Sequence, residues 1–394
     1  MKKLRLWQRL SLEKYTVLAV FVAACSLLVF RLVSLLPGLS SGEQPLPGVR
    51  TILSSIWNEP WYLPMHLSQL VVSALAPATT IGTSRLPSVL LAIVLALLAY
   101  WLLRRWYGYR LALFGILLLL TAPWFLHVGR LSTADIVFPL GMISVLALAA
   151  AWHQPKKPRL LLYSSAIAVG LLLYIPGMIW LIAGVMYIER RNIITQAKAA
   201  KKHAALSAAI MGMLLIPLIH ALVVNIHAYP MFLGFAWRDW TDPMQLGLNF
   251  AHAWQYLFIG GFNSPMFNLG RLPILDIVVS LAFIVGVYLH LMHVKSARTR
   301  THAYLWFVGT LLVALGSHVS VYLLLPIVVV IAIGGIGYLL HTWLKVFPRN
   351  PLARWFGIGL VTIVVAFTVG YNLRNYFIAW PNNEATRAAF QRQP

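Results

Sequence analysis

The chain has 394 residues, 60% of them hydrophobic and only 10% charged, where an average soluble domain carries roughly 25% charged residues. Its formal charge is +22 and its mean hydropathy +0.79. This composition excludes a soluble globule. No basic stretch is interleaved with aromatics, so nucleic acid is excluded as a partner too; the Lys and Arg sit in short turns between apolar runs, where they report membrane topology.

The first apolar run, Tyr15 to Leu36, follows Lys2, Lys3, Arg5, Arg9 and Lys14 and has no small-residue cleavage pattern after it, so it is expected to remain as an anchor. It contains Cys25, the one cysteine, which rules out an intrachain disulfide and a cysteine-based metal site. Crossing a hydrocarbon core takes about 20 apolar residues. Basic turns stay in the cytoplasm, which puts Arg104/Arg105/Arg110, Lys156/Lys157/Arg159, Arg190/Arg191/Lys198/Lys201/Lys202, Lys295/Arg298/Arg300 and Lys345/Arg349/Arg354 on the side of the N-terminus. Every lysine then lies inside, and only arginines are left for the membrane and the outer side.

Parity requires one of the first three apolar runs not to cross. Trp61 to Ala78 is short, carries His66 and Gln69 and is interrupted by Pro64 and Pro77, so it is expected to lie at the outer face. Helices are predicted over 15–37, 86–103, 111–128, 136–152, 160–175, 177–188, 204–224, 274–292, 303–316, 320–341 and 355–374. The expected fold is an all-α polytopic integral membrane protein with about 11 crossings, N-terminus inside and C-terminus outside. Residues 1–378 form one transmembrane domain with long outer loops at 38–85 and 225–273, followed by a short outer tail at 379–394. "AIGGIGYLL", with Gly334, Gly335 and Gly337, reads as close helix packing, and no nucleotide-binding loop is present.

Of nine acidic residues, this topology leaves only Glu13 and Glu189 in the cytoplasm, so carboxylate chemistry belongs on the outer face. Asp276 begins a helix and Glu384 sits in the tail. Asp135, in "HVGRLSTADIVFPLGM", stands at the mouth of a helix, where a carboxylate is costly unless paired, solvated or used; Arg130 is its candidate structural partner. Glu43 and Glu59 are either solvated loop acids or site residues, and three aromatics, Trp57, Trp61 and Tyr62, surround Glu59. Asp239 and Asp242 in "WRDWTDP" either share a cation or form a turn. The histidines show no metal-binding spacing.

Several segments together resemble the GT-C superfamily of membrane glycosyltransferases, in its protein O-mannosyltransferase and aminoarabinose transferase branch. They are "RLPS" at Arg85 to Ser88, the "RRWYGYRLAL" turn, Gly129-Arg130 followed by Ala134-Asp135, "GRLPILD", "SHVSVYLLLPIVVVIAIGGIGYL" and "NYFIAWPNNEATRAAF". The resemblance implies a sugar donor linked to polyprenyl phosphate, a protein, lipid or glycan acceptor, and an active site facing outward from the cell membrane. It also implies an acidic dyad in the first outer loop, usually Asp-Glu, whose aspartate is the base. By position Glu43 matches the second member of the dyad and Asp135 the acid of the second loop, while Gly42 stands where the aspartate is expected.

Transfer from a lipid phosphate needs a base for the acceptor and cations for the departing phosphate. Glu43 and Asp135 are the candidate catalytic carboxylates, and also the candidate ligands of a divalent metal (Mg, Mn or Zn), the one cofactor left open. Arginine binds phosphate in bidentate fashion, which makes Arg85, Arg130, Arg238 and Arg271 substrate-binding candidates alongside Glu59 and, within the resembling segments, His318 and Tyr322. Lipid-headgroup contact is the alternative role for these arginines. The rival functions are a transporter or lipid flippase, suggested by Arg31 and the Tyr174 to Gly177 break, and a degenerate, non-catalytic relative.

Overall fold

The computed structural model describes residues 2–153, 155, 157–226, 228–235, 242–261, 264–315 and 318–392. Regular structure among them is helical apart from one isolated antiparallel bridge, Leu39 to Arg392. Helix α1 (Lys2–Val29) is followed by two short helices, α2 (Val49–Asn58) and α3 (Leu63–Leu75). Next come α4 (Ile81–Tyr107), α5 (Tyr109–Thr121), α6 (Pro123–Arg130) and α7 (Val137–His153), the last entered through a 3₁₀ turn at Ala134–Ile136. The middle of the chain forms α8 (Pro158–Leu172), α9 (Met178–Ile188), α10 (Arg190–Ala199), α11 (Lys201–Leu214), α12 (Ile216–Val224), α13 (Ala228–Leu233) and α14 (Pro243–Phe258). Then follow α15 (Ile277–Met292), α16 (Ala297–Leu315), α17 (Leu325–Val346) and α18 (Pro351–Arg374), and a π turn leads from α18 into two short terminal helices, Trp380–Asn382 and Glu384–Ala389.

Helices α4, α7 and α17 are apolar on all sides and form the core, as expected of helices packed against others all round. Among the described residues, Ile81–Tyr107, Ala134–His153, Val321–Val346 and Pro351–Asn382 are long and apolar enough to cross a membrane singly. Two bent pairs raise the number to six: α5 with α6, at 60°, and α11 with α12, at 46°. Both breaks fall at a proline, Pro123 or Pro217, which lacks an amide hydrogen and crowds the preceding turn. The predicted helices 111–128 and 204–224 are therefore each two rods. Helix α1 stops at Val29, short of the expected 37, because the chain turns at Arg31, whose φ of 54° is left-handed. Helix α3, with 13 residues, is about 20 Å long and shorter than the hydrocarbon core.

The terminal segment does not stand apart as a tail. Trp380 and Phe390 are buried, Trp380 Nε1 donates to the Pro265 carbonyl at 2.9 Å, and Leu39 and Arg392 exchange backbone hydrogen bonds of 2.7 and 3.1 Å. The glycines of α17 bring helices together as the sequence suggests. A Cβ on Gly335 would collide with the Ala282 carbonyl of α15, and one on Gly286 with the Ile331 carbonyl of α17. Gly335→Ala should therefore cost about 1–3 kcal/mol, read as a lowered Tm in detergent. Gly359→Ala, where a Cβ meets nothing within 4 Å, should leave Tm unchanged or slightly raised.

Candidate active site

Thr80 caps α4 through a reciprocal pair of hydrogen bonds with Thr83, which sets the register of the helix and puts Arg85 in its second turn. There Arg85 meets Glu43 of the first loop in a two-pronged ion pair, Nε to Oε1 at 2.8 Å and Nη2 to Oε2 at 3.0 Å. Glu43 is 0% exposed and Arg85 2%. The remaining guanidinium donors go to the carbonyls of Leu32 (3.0 Å) and Gly38 (2.9 Å). The carboxylate also accepts the backbone amides of Ser40 (2.9 Å) and Ser132 (3.0 Å). A charge out of water is tolerable only with this degree of compensation. The Phe390 ring, 6.0 Å from the guanidinium carbon, adds the terminal segment to the cluster.

Next to this clamp lies a cavity of about 240 Å³ lined by Gly42, Tyr62, Thr133, Asp135, Met266 and Phe267, among others. Asp135 is the carboxylate among its lining residues, and the hydroxyls of Ser320 and Thr133 flank it. Tyr322 lies within electrostatic reach of Asp135 and packs against Phe267 with the rings tilted by 59° at a centroid distance of 5.6 Å. Tyr62 has φ 61°, a left-handed conformation that a tyrosine adopts only under restraint. Its amide donates to the Tyr174 carbonyl at 2.9 Å, and its ring meets Phe138 edge-on at 6.0 Å. Burial first, and then the Asp135 charge, push the Tyr62 phenol up to about 12, so it stays protonated and able to donate. A Cβ at Gly42 would meet only the Met266 thioether, with Sδ at 3.0 Å and Cε at 3.3 Å. The position where the resemblance expects an aspartate therefore faces the cavity, while its neighbour Glu43 faces the clamp.

The other sequence candidates are scattered. Arg130 is buried, but it turns toward the end of α1: Nη2 donates to the Phe30 carbonyl at 2.6 Å, and the guanidinium stacks over Tyr376 and Phe377 at 5.3 and 5.0 Å. It pairs with no carboxylate, since the ion pairs among the described residues are Arg85–Glu43 and His153–Glu189. Glu59 is exposed at the end of α2, and Arg271 is exposed in the turn before α15. His318 is half-buried in the segment leading to Ser320 and does not line the cavity. Arg238 and Asp239 lie outside the described residues. Asp242 caps α14 by accepting the Met244 amide at 2.9 Å, the turn role already open to it. No group of three His, Cys, Asp or Glu side chains converges among the described residues, and the Glu43 oxygens are already taken, so Glu43 and Asp135 do not form a cation site between them. The Tyr174 to Gly177 break is a packed elbow in which the Tyr174 hydroxyl donates to the Leu214 carbonyl and the Gly177 amide to that of Phe232.

The sequence reading missed Tyr62, Met266 and Phe267. The proline two residues after Tyr62 was the one local signal, because it marks a helix start with the tyrosine at its mouth.

Residues 71–220 match the model of the dolichyl-phosphate-mannose-protein mannosyltransferase family, less than half of the chain. Among solved structures, the chain resembles the Archaeoglobus fulgidus oligosaccharyltransferase tethered with an acceptor peptide containing the NVT sequon. The TM-score is 0.57 at 15% identity, over 97% of this chain and 56% of that one. The archaeal oligosaccharyltransferase AglB from A. fulgidus, in complex with an inhibitory peptide and a dolichol-phosphate, gives 0.54 at 14% identity over 97% and 57%. ArnT from Cupriavidus metallidurans, bound to undecaprenyl phosphate, gives 0.49 at 14% over 94% and 76%. The chain thus spans little more than half the length of the archaeal proteins, and at these identities the likeness is one of fold. Among curated proteins, no sequence matches the chain significantly. The resemblance to the GT-C superfamily is borne out by the family model together with the shared fold.

The clamp makes its own prediction. Glu43→Gln or Arg85→Met alone leaves the partner's charge buried and should cost about 3–5 kcal/mol. The double variant Glu43→Gln/Arg85→Met should lose less than the sum of the two, as read by Tm in a double-mutant cycle.

Proposed function

We propose that this chain is a multi-pass membrane glycosyltransferase that moves a sugar from a polyprenyl-phosphate donor to an acceptor hydroxyl at the Asp135 cavity. The observation that carries this reading is Asp135 itself, a carboxylate lining an open cavity at the mouth of α7, flanked by hydroxyl groups and, among the described residues, held in no ion pair. The matched family and the folds above supply the donor class: one of those proteins is complexed with a dolichol-phosphate. In this reading the chain sits in the cell membrane with eleven crossings and the cavity outward, as its basic turns suggest.

The chemistry is a single displacement. Asp135 takes the proton of the acceptor hydroxyl as that oxygen bonds to the anomeric carbon. The bond from that carbon to the phosphate oxygen breaks, its electron pair leaves with the lipid phosphate, and the configuration inverts. The protonated Tyr62 phenol is placed to donate a hydrogen bond to a sugar or phosphate oxygen held in the cavity. Glu43, whose oxygens all face the clamp, becomes a positioning residue: Gly42, which precedes it, and Thr133, which follows Ser132, are both cavity walls.

The test is transfer from radiolabelled polyprenyl-phosphate sugars by the protein in nanodiscs. Asp135→Asn should lower turnover by about 10²–10⁴-fold with donor binding kept, and Glu59→Gln should leave turnover unchanged. Folded wild-type protein that turns over no donor, or an Asp135→Asn variant as active as wild type, would overturn the reading.

A further inference from the structure

Phe267 is a wall between two cavities. On its far side from Asp135 lies a chamber of about 390 Å³ between α6, the start of α15, the upper turns of α18 and the Trp380 turn. Its apolar surface combines aliphatic side chains with an aromatic wall, in which Trp124, Tyr371 and Trp380 join Phe267. Two of its polar groups stand out. His127 and Asn372 both line it, are 3% and 1% exposed, and have a side-chain atom without any hydrogen-bond partner, Nδ1 and Oδ1 respectively. Asp276 contributes a carboxylate whose Oδ1 caps α15 through the Val279 amide (2.9 Å) and whose Oδ2 accepts Asn372 Nδ2 at 3.3 Å. That contact fixes the Asn372 amide: turning it over would set two acceptors against each other.

Asn372 Oδ1 and the carboxylate both call for a donor, and a hydroxyl satisfies His127 Nδ1 in either tautomer, because it can donate or accept. Among the described residues, no Lys or Arg lines the chamber. A phosphate or carboxylate would therefore meet acceptors without a cation, whereas a ring with several hydroxyls and an apolar face suits both the acceptors and the aromatic walls. We infer that this chamber binds an uncharged sugar ring, stacked on the aromatic wall, with hydroxyls on Asn372, Asp276 and His127. That the bound sugar is the acceptor, making this a glycan-extending enzyme, rests on the transfer proposed above; the binding itself does not.

The full-length protein in nanodiscs is titrated with methyl glycosides of neutral hexoses and, as the charged control, with methyl phosphate, whose methyl protons report on binding as the glycosides' do; both are followed by saturation-transfer NMR. The expected result is glycoside binding with no phosphate signal. Asn372→Leu should weaken binding at least 10-fold. Asp276→Asn, which keeps a capping side chain, and Tyr371→Ala, at the exposed rim, should each weaken it several-fold. Absence of glycoside binding by folded wild type, equal binding by Tyr371→Ala and Asn372→Leu, or phosphate binding comparable to glycoside overturns the inference. Glycoside binding without turnover of any donor keeps the chamber and sinks the transferase reading. Turnover whose acceptor KM is unmoved by Asn372→Leu and Tyr371→Ala keeps the transferase reading and sinks the assignment of the chamber's sugar as the acceptor.

Discussion

The end of the molecule that carries the Asp135 cavity is organised by one buried ion pair. Glu43 and Arg85 leave water together, and each is compensated by further hydrogen bonds, two to the carboxylate from backbone amides and two from the guanidinium to backbone carbonyls. In a site of low polarity such a pair acts less as a source of net stability than as a geometric constraint, because few arrangements satisfy every member at once. Its members belong to the first loop, α4 and the segment after α6. Those same pieces carry Gly42, Thr133 and Asp135 into one cavity.

The arginines of this end share a second task. Helix α1 stops at Val29, and its last carbonyls have no partners further along the helix. Arg130 donates to the Phe30 carbonyl and Arg85 to the Leu32 carbonyl just beyond, so two planar cations stand at the negative end of a helix dipole. Lysine, a point donor on a flexible stem, could not divide its contacts between a carboxylate and two separate carbonyls as Arg85 does. Part of the arginine bias on this side therefore answers a demand of the fold, where the sequence alone suggested phosphate.

Much of this was legible in the residues. Hydropathy and composition give an all-helical membrane chain. The proline-broken Trp61 to Ala78 stretch does form a helix too short to cross, and the α17 glycines do mark a close helix contact. Asp135 stood out because a carboxylate at a helix mouth is costly. What stayed hidden depends on pairings between distant residues. Glu43 looks the same in sequence whether it faces solvent, substrate or Arg85, and only the fold brings residues 40, 85 and 132 around it. Phe267 was invisible for a similar reason: one aromatic among many in a long loop gives no sign that it divides two cavities. The bends at Pro123 and Pro217 were visible as prolines, but a hydropathy window averages across them.

The bridge from Leu39 to Arg392 joins residues about 350 positions apart, which has a temporal meaning for a chain made from its N-terminus at roughly 5–20 residues per second. The first loop is complete early, yet the strand-like contact that closes it arrives on the order of 20 to 70 seconds later. Until then Gly38 lies open where the carbonyls of Phe390 and Arg392 will later cover it, and Arg85 lacks the Phe390 ring. It is residues 390–392, far along the chain, that cover Gly38 and bring an aromatic ring to the Arg85 side of the clamp.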